Sequence, residues 1–292
     1  MELSSSFVGT SLGPYYAEVS WRHLMNYAAA IHDDNPLYFD DRGKEGVIGH
    51  PMFSVAITWP LLENLTVHLK TDAFPRQVLT TQVHYNEYLN LFRVIKPGDH
   101  LTISGKIAAI VPHRSGTAMF VRLHATDPSG QPVFTEYTGA ILRGVKCSDE
   151  GKGIESLPAI PENPCNDGAL WQKRIFIDPM QTYLYDGCTN IFFPIHTSRR
   201  FAREVGLPGI IVQGTATLAH AVRELINREA QGQPYRLKNL HGQFTQMVFP
   251  GTEICVQLQG AVDREDGKAL FFDVLNDQGQ KALSRGYAFV ES

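Results

Sequence analysis

Cysteine is scarce in this sequence, and so is any imbalance of charge. The four cysteines among 292 residues, Cys147, Cys165, Cys188 and Cys255, never reach a Cys-x-x-Cys spacing, which argues against a zinc site or a disulfide framework. Twenty-six basic against 30 acidic side chains leave a formal net charge of −4, so no field of one sign is available for nucleic acid or an anionic membrane. Long apolar runs are missing too. The least charged stretch, Val47 to Leu62, holds His50, Pro51, Ser54, Thr58 and Pro60 and falls short of the roughly 20 apolar residues of a membrane span. Met1 to Phe7 contain no basic segment followed by an apolar one, so a secretory signal is not expected. These absences predict a soluble protein of a reducing cytoplasm, with neither nucleic acid nor membrane as partner.

What is present is a chain rich enough to fold: 43% apolar and 10% aromatic residues, over a length that suits two domains or one large barrel or sandwich. Residues 144 to 170 are dense in glycine, proline and charge without an apolar period, which is linker composition. They divide the chain into a first unit over 1–146, a linker over 147–170 and a second unit over 171–292. The two units carry the same punctuation in the same order. Asn35-Pro36-Leu37-Tyr38 is echoed by Phe193-Pro194-Ile195-His196, Pro97-Gly98-Asp99 by Pro250-Gly251-Thr252, and Asp127-Pro128-Ser129-Gly130 by Asn276-Asp277-Gln278-Gly279. Such ordered self-similarity points to an internal duplication.

The apolar periods agree. Helical spacing runs over Ser20 to Ile31 and, behind Asp178 as N-cap, over Pro179 to Tyr185; a longer helix follows over Phe53 to Leu65 and over Thr215 to Arg228. Alternation then predicts strands over Leu101 to Val111, Phe120 to Thr126 and Val133 to Leu142, and again over Ile254 to Val262, Ala269 to Leu275 and Lys281 to Val290. A short helix, a long helix and a run of antiparallel strands make an α+β unit whose sheet wraps the long helix, and two such units can join edge to edge.

In that order the residues resemble double hotdog proteins of the MaoC-like family, which includes (R)-specific (type 2) enoyl-CoA hydratases and hydroxyacyl-thioester dehydratases. The family motif Gly-Asp-x-Asn-Pro-Leu-His is matched by Asp33, Asn35, Pro36 and Leu37 in the first unit. In the second it is matched by Pro194 and His196, followed by Gly209 to Thr215, which is similar to the segment that opens the family's long helix. The resemblance implies two tandem hotdog units and a reversible hydratase or dehydratase of acyl thioesters. It implies no metal and no separate cofactor, CoA or phosphopantetheine being part of the acyl-CoA or acyl-carrier substrate, and it admits a homodimer of double hotdogs.

That chemistry needs a group to activate water and move a proton, and donors to stabilise a thioester enolate. The first unit has Tyr38 at the motif's His position and Pro51, which has no N–H, at its helix entry, so Asp33 is expected in a turn and substrate-binding role. The second unit keeps His196 as acid/base and Gly214 as oxyanion donor, but Ile191 and Phe193 stand where the family has Asp and Asn. Asn190, after a one-residue shift of the loop, is the candidate to orient water. Gln213, Thr189, Tyr185 and Phe193 are the candidates to bind substrate. The exposed basic group Lys173, Arg174, Arg199, Arg200 and Arg203 reads first as a solvated face and second as a phosphate site for CoA. Decay of both motifs into an acyl-thioester-binding protein, and a hotdog enzyme of other thioester chemistry such as hydrolysis or a cyclising addition, stand as alternatives.

Overall fold

The computed structural model of the chain describes residues 1–44, 46–165 and 168–292. The first unit contains β1 (Glu2–Leu3), β2 (Ser11–Glu18), α1 (Trp21–Ala30), α2 (Phe53–Glu63), α3 (Leu65–His68), β3 (Gln82–Leu91), β4 (His100–His113), β5 (Gly116–Thr126), β6 (Pro132–Arg143) and β7 (Lys146–Cys147). The second contains β8 (Trp171–Phe176), α4 (Gln181–Thr189), α5 (Arg199–Glu204), α6 (Gly214–Glu229), β9 (Leu237–Phe244), β10 (Glu253–Arg264), β11 (Gly267–Leu275) and β12 (Lys281–Glu291). Ten strands form one sheet in the order β2-β4-β5-β6-β3-β9-β12-β11-β10-β8, while β1 and β7 pair separately. The order is the same in each half read outward from the centre, as the duplication requires.

Local chemistry accounts for the elements. Ser20 accepts the His23 N–H and starts α1, whose apolar positions bury Leu24, Tyr27 and Ala28. Leu218, Ala219, Val222, Leu225 and Ile226 bury the stripe of α6, which packs on β9 and β12. The turns at 127–130 and 276–279 close the β5–β6 and β11–β12 hairpins, with Gly130 and Gly279 at positive φ. Among the described residues no helix is long and apolar enough to cross a membrane.

One expectation is corrected, and two features of the fold lie beyond the local periods of the sequence. The helix placed at Pro179 to Tyr185 begins at Gln181 and runs to Thr189, because the Asp178 side chain takes the Met180 N–H before the helix starts and Asn190, at φ 58°, ends it. Strands β2, β3, β8 and β9 were not anticipated by alternation. The linker does not hang free. Lys146–Cys147 pairs with β1, Lys152 bridges Ile110 of β4, and Asn163 and Cys165 pack on Gly260 of β10, so the segment is laid across both units; residues 166 and 167 of it lie outside the described residues. Gly153 has φ 89° and sits so close to the Ala108 carbonyl that any Cβ would collide with it.

The units join through β3 and β9, paired antiparallel from Asn86 with Gln243 to Asn90 with Asn239. Above that seam α1 packs on α4, and the hydroxyls of Tyr27 and Tyr185, 158 residues apart in sequence, meet at 3.0 Å. Tyr38 and His196 are separated by the same number of residues, so the tyrosine pair marks the local two-fold axis relating the units. Tyr185 donates onward to Thr215 of α6 at 3.1 Å, and both phenols are fully buried. The chain of donors runs one way, which sets an asymmetry. Tyr27→Phe leaves Tyr185 bonded to Thr215 and is expected to cost about 1 kcal/mol or less, whereas Tyr185→Phe strands the Tyr27 hydroxyl and is expected to cost about 1–3 kcal/mol. Urea unfolding of both variants checks the order.

Candidate functional site

The loop after α4 turns back through the left-handed Asn190 and forms one helical turn, Pro194–His196. His196 Nδ1 donates to the Ile211 carbonyl at 2.8 Å, and the Ile211 N–H in turn bonds to the Ile195 carbonyl, so the loop is stitched to the segment that enters α6. A carbonyl can only accept, which fixes the hydrogen on Nδ1 and leaves a lone pair on Nε2. Burial pushes His196 down to about 4, opposed by the Ile211 carbonyl and reinforced by a nearby imidazole, that of His84. The ring of Phe193 packs edge-on against His196 at 6.4 Å. At neutral pH His196 is therefore an uncharged base with one free nitrogen.

The entry to α6 is open. Gln213 is buried and donates to the Thr182 carbonyl at 3.1 Å, and no side chain caps the helix. The first N–H groups of a helix, here beginning with Gly214, have no intrahelical partner and carry the positive end of the helix dipole, an arrangement suited to a developing oxyanion. A Cβ on Gly214 would meet the Phe244 ring at 3.0 Å, so the helix start and β9 approach as closely as a glycine allows.

Sequence reasoning missed the next residue outward. Phe244 stacks, tilted, on His84 of β3 with ring centroids 4.6 Å apart. His84 and Glu87 would face opposite sides of a regular strand, but a bulge between His84 and Asn86 turns both toward the inner face: His84 lies opposite Ala140 and Glu87 opposite Thr138 of β6. His84 Nε2 is then 3.2 Å from the Glu87 carboxyl and 3.1 Å from the Asn86 carbonyl and the Thr138 hydroxyl. Burial pushes His84 down to about 4 and drives the carboxyls of Glu87 and Glu136 well above the usual range. The only sequence signal for His84 was its strand, and the bulge hid that strand's alternation.

The first unit holds the counterpart group in a closed form. His32, at φ 51°, occupies the place of Asn190, and Pro36–Tyr38 repeats the turn of Pro194–His196. Asp33 is buried, accepts the Asn35 N–H, and lies 3.8 Å from His50, which stacks on Tyr27 and meets Tyr38 edge-on. Burial raises Asp33 to about 6 and lowers His50 to about 3. The Met52 N–H donates to His50 Nδ1, so the helix entry that has no side-chain cap in the second unit is capped here. Arg223 of α6 crosses over to hold the Ile31 and His32 carbonyls.

Against this geometry the expected site residues separate. His196, Gly214, Gln213 and Phe193 come together. Asp33 belongs to the other group, with His50 and Tyr38, which supports its turn role but not a place in the His196 site. The matching left-handed positions of His32 and Asn190 show no one-residue shift of the loop; Asn190 is exposed and reverses the chain after α4, which corrects its assignment as a water-orienting group. Thr189 spends its hydroxyl on the Tyr185 carbonyl and the Ile191 N–H, and Tyr185 is committed to Tyr27 and Thr215, so both are structural rather than substrate-binding. Arg200 pairs with Glu204 and Arg174 with Glu253 on the surface.

Comparison with known proteins agrees with the two-unit reading. Residues 163–272 match the MaoC like domain model, and residues 6–136 match the FAS1-like dehydratase domain region. Enoyl-CoA hydratase 2, peroxisomal, of Arabidopsis thaliana is 24% identical over 245 residues, which cover 79% of this chain and 75% of that protein. The fatty acid synthase subunit beta of Aspergillus oryzae is 37% identical over 83 residues, 28% of this chain and 4% of that much longer protein. The crystal structure of a MaoC-like dehydratase from Phytophthora capsici superposes with a TM-score of 0.83 at 20% identity, over 98% of this chain and 97% of that one.

His220, buried on α6, has no hydrogen-bond partner at either ring nitrogen among the described residues and is pushed by burial down to about 3. Its folded value lies below the unfolded one, so the unfolded chain takes up a proton that the folded chain refuses, and His220 weakens the fold increasingly as pH falls from 6.5 toward 3. His220→Leu removes that penalty. The variant is expected to be as stable as the parent or more so by about 1 kcal/mol at pH 7, with a larger gain at pH 5, in urea unfolding at the two pH values.

Proposed function

We propose that the chain, with a MaoC like domain match in one half and a FAS1-like dehydratase region match in the other, is a MaoC-like dehydratase whose second unit carries a site that reversibly hydrates 2-enoyl thioesters to 3-hydroxyacyl thioesters. The observation that carries the reading is the pairing of a neutral, Nε2-open His196 with the uncapped start of α6 at Gly214. The thioester carbonyl accepts from the Gly214 N–H. A water gives one proton to His196 Nε2 as its oxygen bonds to C3, and the π electrons pass to the thioester as an enolate held by that N–H. His196 then returns the proton to C2 on the same face, and elimination of water runs the same steps backward. The acyl thioester of CoA or of a carrier's phosphopantetheine is the proposed substrate, and the four free cysteines support a reducing compartment, with the cytoplasm as the proposed location.

Loss of enoyl absorbance with crotonyl-CoA and longer enoyl-CoAs tests the reading. His196→Ala is expected to lower kcat/KM by about 10²–10⁴. Absence of turnover at every chain length sinks it in favour of a thioester-binding protein, and release of free thiol points to hydrolysis. Since His196 must be unprotonated to take the proton of water, kcat/KM is expected to hold down through pH 6.5 and to fall only as pH drops through about 4. A pH–rate profile of the wild type reads that limb directly.

A further inference from the structure

We propose that His84, supplied by the first unit, is the second group that holds the nucleophilic water in the second unit's site, in the place left empty by Ile191. The inference rests on the hydratase reading above. His196 alone can take one hydrogen of the water, but nothing on its own loop holds the other: Ile191 is apolar and buried, Asn190 is exposed, and Thr189 is committed to its own helix. His84 reaches the site from across the β3–β9 seam. Its ring lies on Phe244, which also borders the Gly214 helix start, and His84 adds to the lowering of the His196 imidazole.

Its orientation suits the task. The Asn86 carbonyl, which can only accept, faces Nε2 and so places the hydrogen there and leaves a lone pair at Nδ1, while the Thr138 hydroxyl and the Glu87 carboxyl close off the same side of the ring. About a third of the side chain (34%) is still open to solvent, whereas the Glu87 side chain behind it is closed (2%). The Asn86 carbonyl therefore fixes the tautomer, Glu87 is a positioning residue behind the ring, and His84 is the group that meets water. The water donates one O–H to His196 Nε2, which takes that proton, and the other to His84 Nδ1, which only accepts the bond; no further proton, electron or co-reactant is required. The bulge serves this arrangement, because without it His84 would face the far side of the sheet.

Steady-state hydration by the whole chain tests the assignment with three variants, His196→Ala, His84→Phe and His84→Asn, each first checked for folding by circular dichroism and thermal unfolding. Phenylalanine keeps the stacking on Phe244 and removes the lone pair; asparagine returns an acceptor near the position of Nδ1. Misplacing the water is expected to lower kcat on the order of 100-fold in His84→Phe with KM little changed, and His84→Asn is expected to recover much of that loss. A folded His84→Phe with wild-type kcat, or a folded His84→Asn no better than His84→Phe, overturns the assignment while leaving the His196 reading intact. Absence of hydration by the wild type overturns both.

Discussion

The joining of the two units into one sheet depends on one ladder of main-chain hydrogen bonds, that between β3 and β9. Either strand alone would be a sheet edge with unpaired amide groups; together they convert two five-stranded sheets into one of ten. The ladder fixes register, and register fixes which side chains of one unit lie beside the other. Phe244 is carried to the helix start of its own unit and at the same time under a histidine of the other. The tyrosine pair above the seam obeys the same constraint, since equivalent residues can touch only on the axis that relates the units.

Within that frame the two sites have moved apart chemically by small local changes. In the second unit the residue before the helix turns inward to Thr182 and leaves the amide groups open; in the first, His50 occupies that position and caps the next amide itself. The first unit's Asp33, His50 and Tyr38 are all buried, and burial holds the carboxyl and the imidazole toward their neutral forms. A helix end can bind a developing negative charge or be satisfied by its own side chains, and the two units have taken one option each. Arg223 reinforces the closed one by bonding the chain just before Asp33.

Much of this was legible in the sequence, for physical reasons. The long helices showed because α6 is amphipathic over sixteen residues, and the outer hairpins showed because their strands alternate and end in Asp/Asn and Gly turns. His196 and Gly214 were legible because a turn with proline and a glycine at a helix entry are sequence-local. Asn190 misled for the complementary reason: a polar residue beside a missing carboxylate reads as its substitute, whereas its backbone was needed to reverse the chain. His84 was out of reach because its importance comes from a bulge and from pairing with a strand about 150 positions away, neither of which leaves a local period.

The segment after β7 ties the seam together covalently as well as by contact. It lies along β4, held by Lys152 and by Gly151 and Gly153, and then touches β10 at Gly260, so it spans from one unit to the other while packed on both. Two separate hotdog chains meeting at the same strands would assemble by mass action and lose their shared site on dilution. Here the second partner is always present at the effective concentration set by a short, docked tether, so a site built from both halves is independent of protein concentration.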